Sequence, residues 1–404
     1  MTCDIKSLTR EELEARFKDW DQPAYRVSQL LAWLYLRRVT DFGMMTNLSK
    51  SLREKLGQNY TLHALELVQK QGAHDTTQKF LWRLSDHSLI ESVLIPANPA
   101  LYGEPSDRHT LCVSTQVGCA YGCKFCASGL EGWKRNLHAD EIVEQVLAVE
   151  RGGDSPKSKV QSPKSEDASP HSEVSSIEFT DPALVAPKSD EGGTRNTQHD
   201  SPPRLVNNLV IMGMGEPLAN YDNLLKALKI LNAPWGGGIG ARKITVSTSG
   251  LVPQIRKLAE EPLQFRLAIS LHGATDETRN KIMPVNRKYP LSELVAACEY
   301  YQKKKERMIT LEYILIAGVN DTLDQIKPLA NLAHRLHAKV NLIPYNQVEG
   351  LSWERPSETV QEEFLAALEN QKVVATLRRE KGHDIDAACG QLRLKTERAL
   401  SGKA

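Results

Sequence analysis

An excess of charge of either sign is missing from this sequence: 51 Lys and Arg stand against 50 Asp and Glu, a formal net charge of +1. No global basic field is available, so any binding of nucleic acid has to come from a local patch. Long apolar runs are missing too. The longest, around "LVIM" (Leu209 to Met212), suits a buried strand and falls far short of a membrane span. No charged–apolar–small pattern opens the chain. Cysteine is scarce, with seven residues in 404. Without an export signal these argue against a disulfide framework and for a reducing, cytoplasmic setting, where clustered thiols point to metal or redox chemistry. Hydrophobic residues make up 41%, enough to bury a substantial core. The length allows two or three domains, or one α/β unit filling most of the chain.

What is present falls into distinct stretches. Residues 1–58 read as a helical accessory domain. "LTREELEARF" offers Thr9 as N-cap with Glu12 three residues on, then Leu13 and Phe17 on one face. "RVSQLLAWLYLRR" and "LSKSLREKL" continue the helical spacing. Residues 59–103 turn to strands, a β-hairpin extension in which "KFLWRL" and "SLIESVLIPA" flank the turn-rich "SDH". Over 104–397 six short runs, "LCVS", "NLVIMG", "KITVSTS", "FRLAISL", "ITLEYILI" and "KVNLIP", alternate with helical patterns. That alternation implies a parallel sheet with right-handed crossovers. Six βα units are two short of a closed eightfold barrel, so an incomplete (β/α)6 barrel is expected. Within it, residues 152–204 break the rhythm: they hold seven of the 20 prolines and nearly repeat themselves, "SPKSKVQ" then "SPKSEDA". Such composition predicts a disordered, low-complexity insertion.

Four cysteines fall in "TLCVSTQVGCAYGCKFCASG", Thr110 to Gly129. Cys119, Cys123 and Cys126 form a C-x3-C-x2-C triad, and Cys112 stands apart from that rhythm. Zinc wants four ligands, usually from two C-x2-C-like pairs, and no second pair follows. The candidate fourth ligands are Cys112, His109 and His138. A 4Fe–4S cluster held by three thiolates leaves one iron open, able to chelate the amino and carboxylate groups of S-adenosylmethionine. The triad alone leaves both readings standing. The rest of the chain adds "GMGEP" after the second strand, "STSG" after the third, "SLHG" after the fourth and "PYNQ" after the sixth. These all fall at carboxyl ends of parallel strands, where functional groups gather.

With Phe125 before the last cysteine of the triad and "GEP" beyond, the pattern resembles the radical S-adenosylmethionine superfamily. "TLCVSTQVGCAYGCKFC", "GMGEPL", "STSG", "AISLH", "LIPYN" and "DIDAACGQL" are together similar to its adenine-specific RNA methyltransferases, and most to the carbon-2 branch acting on 23S rRNA and tRNA. The resemblance runs from about residue 10 to 397, leaving out the insertion. It implies a 4Fe–4S cluster on Cys119, Cys123 and Cys126, and S-adenosylmethionine held by Gly215, Glu216, Ser247, Ser270, Leu271, His272 and Asn346. It implies that Cys389 is methylated, that a deoxyadenosyl radical takes hydrogen from that methyl group, and that the resulting methylene radical adds to adenine. Glu91 would accept the ring proton. The Cys112 thiolate would release the product by attacking the sulfur of Cys389, which places a disulfide in the cycle. The expected partners are 23S rRNA, tRNA and a one-electron donor such as flavodoxin, with no membrane and a monomeric chain. Two departures stand out: the length of the insertion, and Gly273 in "SLHG" where the family more usually has Ala.

Set beside that likeness, the residues have blander readings. Cys298, on the apolar face of "LVAACEYY", and Cys3 read as small buried hydrophobes. Glu91 alternates with apolar neighbours and would otherwise pass for a solvent-facing strand residue. Arg37–Arg38, Arg287–Lys288 and Arg378–Arg379 are solvated faces or phosphate contacts. Two rival functions remain: methylation of carbon 8 of the same adenine, and a non-catalytic iron–sulfur or zinc module that binds RNA.

Overall fold

The computed structural model describes residues 2–72, 77–97, 107–152, 204–378 and 390–400. Three helices open it: α1 (Arg10–Asp19), α2 (Tyr25–Leu31) and α3 (Lys50–Asn59). The expected capping box is present, with Thr9 Oγ1 accepting from the Glu12 amide and Glu12 Oε2 accepting from the Thr9 amide. Buried Leu13 and Phe17 face the core from α1. Cys3 does not follow the buried reading. It lies exposed on a two-residue pairing of Cys3–Asp4 with Tyr60–Thr61, which turns its neighbour Asp4 inward instead.

Three antiparallel strands follow, β1 (Glu66–Gly72), β2 (Gln78–Arg83) and β3 (Leu89–Pro96). They continue one ten-stranded sheet rather than standing apart from it. Next in chain order come β4 (His109–Cys112), β5 (Gln116–Gly118), β6 (Trp133–Asn136) and α4 (Ala139–Glu150). Beyond the insertion are β7 (Asn208–Ile211), α5 (Tyr221–Asn232), β8 (Ile244–Thr248), α6 (Val252–Glu260) and β9 (Arg266–Ser270). The chain then forms α7 (Asp276–Ile282), α8 (Leu291–Lys305), β10 (Thr310–Leu315), α9 (Ile326–Arg335), β11 (Lys339–Pro344), α10 (Glu358–Asn370), β12 (Ala375–Leu377) and α11 (Gln391–Leu400).

The sheet order is β12-β11-β10-β9-β8-β7-β4-β3-β2-β1. Strands β4 and β7 to β12 are parallel, and β3, β2 and β1 extend the sheet antiparallel beyond β4. All six expected parallel strands are present. A seventh, β12, comes from "VVATLRR", and its three residues pair only with β11 at one edge of the sheet. Strands buried on both faces need continuous apolar runs, and β7, β8 and β9 bury Leu209, Ile211, Ile244, Val246, Leu267 and Ile269.

Polar contacts from the segments flanking the N-terminal helices fix this part of the chain to α4. Lys6 lies 3.6 Å from Glu144, Ser7 Oγ donates to Asp140 at 2.6 Å, and Arg38 pairs with Glu150 at 2.9 Å. Arg38 is buried in that pair, so of the Arg37–Arg38 dipeptide only Arg37 faces solvent, over the Trp33 ring.

The insertion lies outside the described residues except at its ends. Those ends meet: the Leu205 and Val206 amides donate to the Glu150 carboxylate at 3.1 and 2.7 Å. A short linker can therefore span the gap. Replacing residues 153–203 by a few Gly and Ser residues should leave the thermal melting midpoint and the activity proposed below nearly unchanged. A large loss of activity in protein that melts normally would show that the segment has a task of its own.

Candidate active site

The carboxyl ends of the parallel strands open on one cavity of about 340 Å³, within the usual span of small-ligand pockets, roughly 300–1,000 Å³. Its wall includes Cys112, Cys119, Cys123, Cys126, Gly215, Glu216, Ser247, Ser270, His272 and Asn346. Leu271 is buried behind that wall. Neither His109 nor His138 is among the lining residues, and Arg287 and Lys288 lie exposed away from it. Arg378 does line the cavity, whereas Arg379 and Cys389 fall outside the described residues.

The cysteine loop leaves the sheet through a small ribbon, β5 paired antiparallel with β6, which frames residues 119–132. Burial pushes the Cys119 thiol up to about 12, and the Cys126 and Glu216 charges add to the shift. Cys123 is raised well above its ordinary value by burial and by its two neighbouring thiols, with Arg279 opposing. Desolvated thiols such as Cys119 and Cys123 become thiolates only against added positive charge, which an iron–sulfur cluster would supply. Among the described residues no three His, Cys, Asp or Glu side chains converge closely enough to hold a single ion. The three thiols line the same cavity, and three ligands suit a cluster with one open iron better than tetrahedral zinc, which takes four.

The "GMGEP" turn is held by residues the motif search did not single out. Gln116 Oε1 accepts the Glu216 amide at 2.9 Å, and Ser114 Oγ accepts the Met214 amide at 3.0 Å. Gly215 has φ +98°, and an added Cβ would fall 2.5 Å from Gln116 Cβ. Buried Glu216 accepts from the Leu218 amide at 3.0 Å and the Ser249 amide at 2.7 Å. Burial nonetheless raises its pKa, so the site favours a cationic ligand beside it.

His272 sits in the left-handed region, φ +55°. The Ile314 amide donates to its Nδ1 at 3.0 Å and Asn320 Nδ2 donates to its carbonyl at 2.8 Å. Burial, then the Arg279 charge, lowers it to about 3, so the imidazole stays neutral with its proton on Nε2. Phe125 packs edge-on against the ring with centroids 4.9 Å apart.

Arg279, on α7, is fully buried and was not singled out by the sequence. It donates to the Leu271 carbonyl at 3.1 Å, to Asn286 Oδ1 at 2.7 Å and to the Ser249 carbonyl, tying the "STSG" and "SLHG" loops together. The Gly273 departure has a reason in the same place. A Cβ there would lie 2.7 Å from the Arg279 backbone nitrogen, so here the short helix approaches where only Gly fits.

Two hydroxyls on the cavity wall, Ser249 Oγ and Tyr345 OH, are buried with no hydrogen-bond partner among the described residues. Buried polar atoms are ordinarily satisfied, and a polar ligand in the cavity completes them. The thiol wall, the carboxylate and these hydroxyls together fit a cluster with an amino-acid nucleoside such as S-adenosylmethionine.

Cys112 ends β4 and lies opposite Val93 on β3. With side chains alternating along a strand, Glu91 shares the face of Val93 and Ile95, which line the cavity, one step further along. Glu91 is 3% exposed, not solvent-facing. Cys298 is buried, as expected. None of the six described cysteines is in a disulfide. The disulfide placed in the cycle is therefore not a feature of this structure, in which Cys112 is a thiol.

Comparison with known proteins adds the following. Residues 3–62 match the profile described as "Ribosomal RNA large subunit methyltransferase N-terminal domain", and residues 204–333 match that of the radical SAM superfamily. A protein of Opitutus terrae named "Probable dual-specificity RNA methyltransferase RlmN 3" is 52% identical over 390 residues, covering 96% of this chain and 94% of its own. Its counterpart in Akkermansia muciniphila is 47% identical over 399 residues, covering 99% and 98%. The crystal structure of a radical SAM methyltransferase from Sphaerobacter thermophilus superposes with a TM-score of 0.78 at 38% identity, covering 96% of this chain and 98% of that one.

Proposed function

Because this chain belongs to the dual-specificity RNA methyltransferase family of the radical SAM superfamily, we propose that it methylates carbon 2 of an adenosine in 23S rRNA and of the adenosine 3′ of the anticodon in tRNA. The observation that carries the reading is the meeting of four cysteines and six of the seven strand-end residues in one cavity, with Glu91 beside it. A scaffold that only bound RNA would have no use for that convergence.

In this reading Cys119, Cys123 and Cys126 hold a 4Fe–4S cluster, and Gly215, Glu216, Ser247, Ser270, Leu271, His272 and Asn346 hold S-adenosylmethionine. The bound pair supplies a 5′-deoxyadenosyl radical. Glu216 sets a buried carboxylate beside the ammonium of the ligand, and neutral His272 offers a donor without adding charge. Cys389 carries the methyl group and becomes the bridge to adenine, because an aromatic C–H carbon is too poor a nucleophile for direct displacement. Glu91 accepts the ring proton. The Cys112 thiolate attacks the Cys389 sulfur, so that RNA leaves and a transient disulfide forms. The carbon–sulfur pair stays on the methylene carbon, which takes up a proton to become the methyl group, and the one electron left over from radical addition would pass back to the cluster. A one-electron donor of the flavodoxin kind and a monomeric chain complete the reading.

The "GEP" turn provides a direct test. Gly215→Ala adds a Cβ to a strained backbone and drives it into Gln116, which should destabilise the fold by about 1–3 kcal/mol. Equilibrium dialysis should find S-adenosylmethionine binding lost in protein that remains folded. Unchanged binding would remove this turn from the ligand site.

A further inference from the structure

Strands β2 and β3 carry an ion pair whose lysine the proposed chemistry leaves unused. Lys79 and Glu91 are 0% and 3% exposed, and Lys79 Nζ lies 3.0 Å from Glu91 Oε2. In the strand register Lys79 faces Val93 and Leu81 faces Glu91, so the pair spans a diagonal on one face of the sheet. The Glu91 carboxylate also holds the start of α11. Oε2 accepts the Gly390 amide at 2.7 Å, and Oε1 accepts the Arg393 amide at 2.6 Å. Such first-turn amides have no partner within their own helix, and the helix dipole favours an anion there. Leu392 adds an apolar seat against Leu81 and Leu89. Gly390 directly follows Cys389 in the chain.

We propose that Lys79 is a positioning residue: its ammonium is the counter-charge of buried Glu91 and, through Glu91, fixes the N-terminus of the helix that follows Cys389. The proposal rests on the reading of Glu91 as proton acceptor and Cys389 as methyl carrier. A buried carboxylate is costly unless it is paired and hydrogen-bonded, and Glu91 has both kinds of partner. Other charged groups at this end of α11 pair among themselves, although Arg393 Nε and Nη2 have no hydrogen-bond partner among the described residues. Arg393 Nη1 lies 3.2 Å from Glu131 and 2.5 Å from Glu397, and Lys134 lies 3.5 Å from Glu397.

The coupling follows from the proton's destination. When the carbon-2 proton passes to a Glu91 oxygen, its C–H electron pair stays with the ring and Glu91 becomes a neutral acid. The acid is a weaker acceptor for the two amides than the anion, and it no longer offers Lys79 a counter-charge. Proton removal therefore loosens the anchor of the segment whose sulfur must next meet Cys112. One carboxylate serves both events.

Hydrogen exchange on the full chain, followed by mass spectrometry of peptides spanning 390–398, tests the anchor with no need of cluster or RNA. In Lys79→Met protein the Gly390 and Arg393 amides should exchange about tenfold faster than in wild type at matched pH, with protection returning in Lys79→Arg. In single-turnover methylation Lys79→Met should be slowed about tenfold, with the rate returning in Lys79→Arg. Should Lys79→Met not fold, Lys79→Gln replaces it. Exchange and rate both unmoved in a folded variant would overturn the proposal. Glu91→Gln separates this from the reading beneath it. If that variant still removes the ring proton, Glu91 is not the acceptor, and the exchange result alone decides whether Lys79 positions the helix.

Discussion

Cys112→Ala protein, reduced anaerobically with S-adenosylmethionine and an RNA fragment, should accumulate covalently joined to RNA, whereas Cys389→Ala protein should form no such bond. In the proposed mechanism the two thiols serve different steps. There Cys389 carries the methyl group, so its loss should stop the reaction before RNA is attached. Cys112 is proposed to act at release, and its place at the end of β4, on the cavity wall opposite Val93, suits a group that waits for a sulfur to arrive. Buffer thiols cannot replace it, because a positioned group can act with an effective molarity on the order of 10⁵ M or more. The adduct would appear as a nuclease-sensitive shift on a denaturing gel. Equal inactivity of the two variants with no crosslinked species would end the division of labour. Full activity of Cys112→Ala would make that thiol a packing residue.

The second large effect concerns the triad. Cys119→Ala, Cys123→Ala and Cys126→Ala should each lose the brown chromophore and reduce 5′-deoxyadenosine formation to background. The thiols are half-buried together beside Glu216, and two cannot replace three, because the remaining pair leaves the cluster without the charge and ligand count it needs. Circular dichroism of each variant should stay unchanged, since the loop between β5 and β6 is framed by backbone pairing rather than by the thiols. A variant lacking one of these cysteines that still cleaves S-adenosylmethionine would defeat the assignment.

Much of this site was legible because its motifs sit where hydrophobic runs end. "KITVSTS" and "FRLAISL" announce their strands through β-branched and apolar residues, and Ser247 and Ser270 then fall at carboxyl ends by register alone. The capping box of Thr9 and Glu12 is equally local and was readable for that reason. What depended on partners distant in sequence was not readable. Glu91 alternates with apolar neighbours like any exposed strand residue, yet it is buried, with its carboxylate held by Lys79 on the next strand and by amides of α11, about 300 residues on. Arg279 looks like a surface residue of a short helix until the Ser249 and Leu271 carbonyls close over it. Strand β12 is three residues long with no fully buried side chain, too brief for periodicity to mark. Cys3 was misread because its exposure is set by pairing with Tyr60–Thr61, not by its own neighbours.

The route itself can be followed atom by atom. With S-adenosylmethionine bearing a trideuterated methyl group, nucleosides from the reacted 23S rRNA fragment would be separated and weighed. A methyl group carried by Cys389 and opened by the deoxyadenosyl radical must give up one deuterium before it reaches the ring. The product should therefore be 2-methyladenosine retaining two of the three deuteriums, with the third in 5′-deoxyadenosine. A methyl group transferred with all three deuteriums, or one found on carbon 8, would contradict the account.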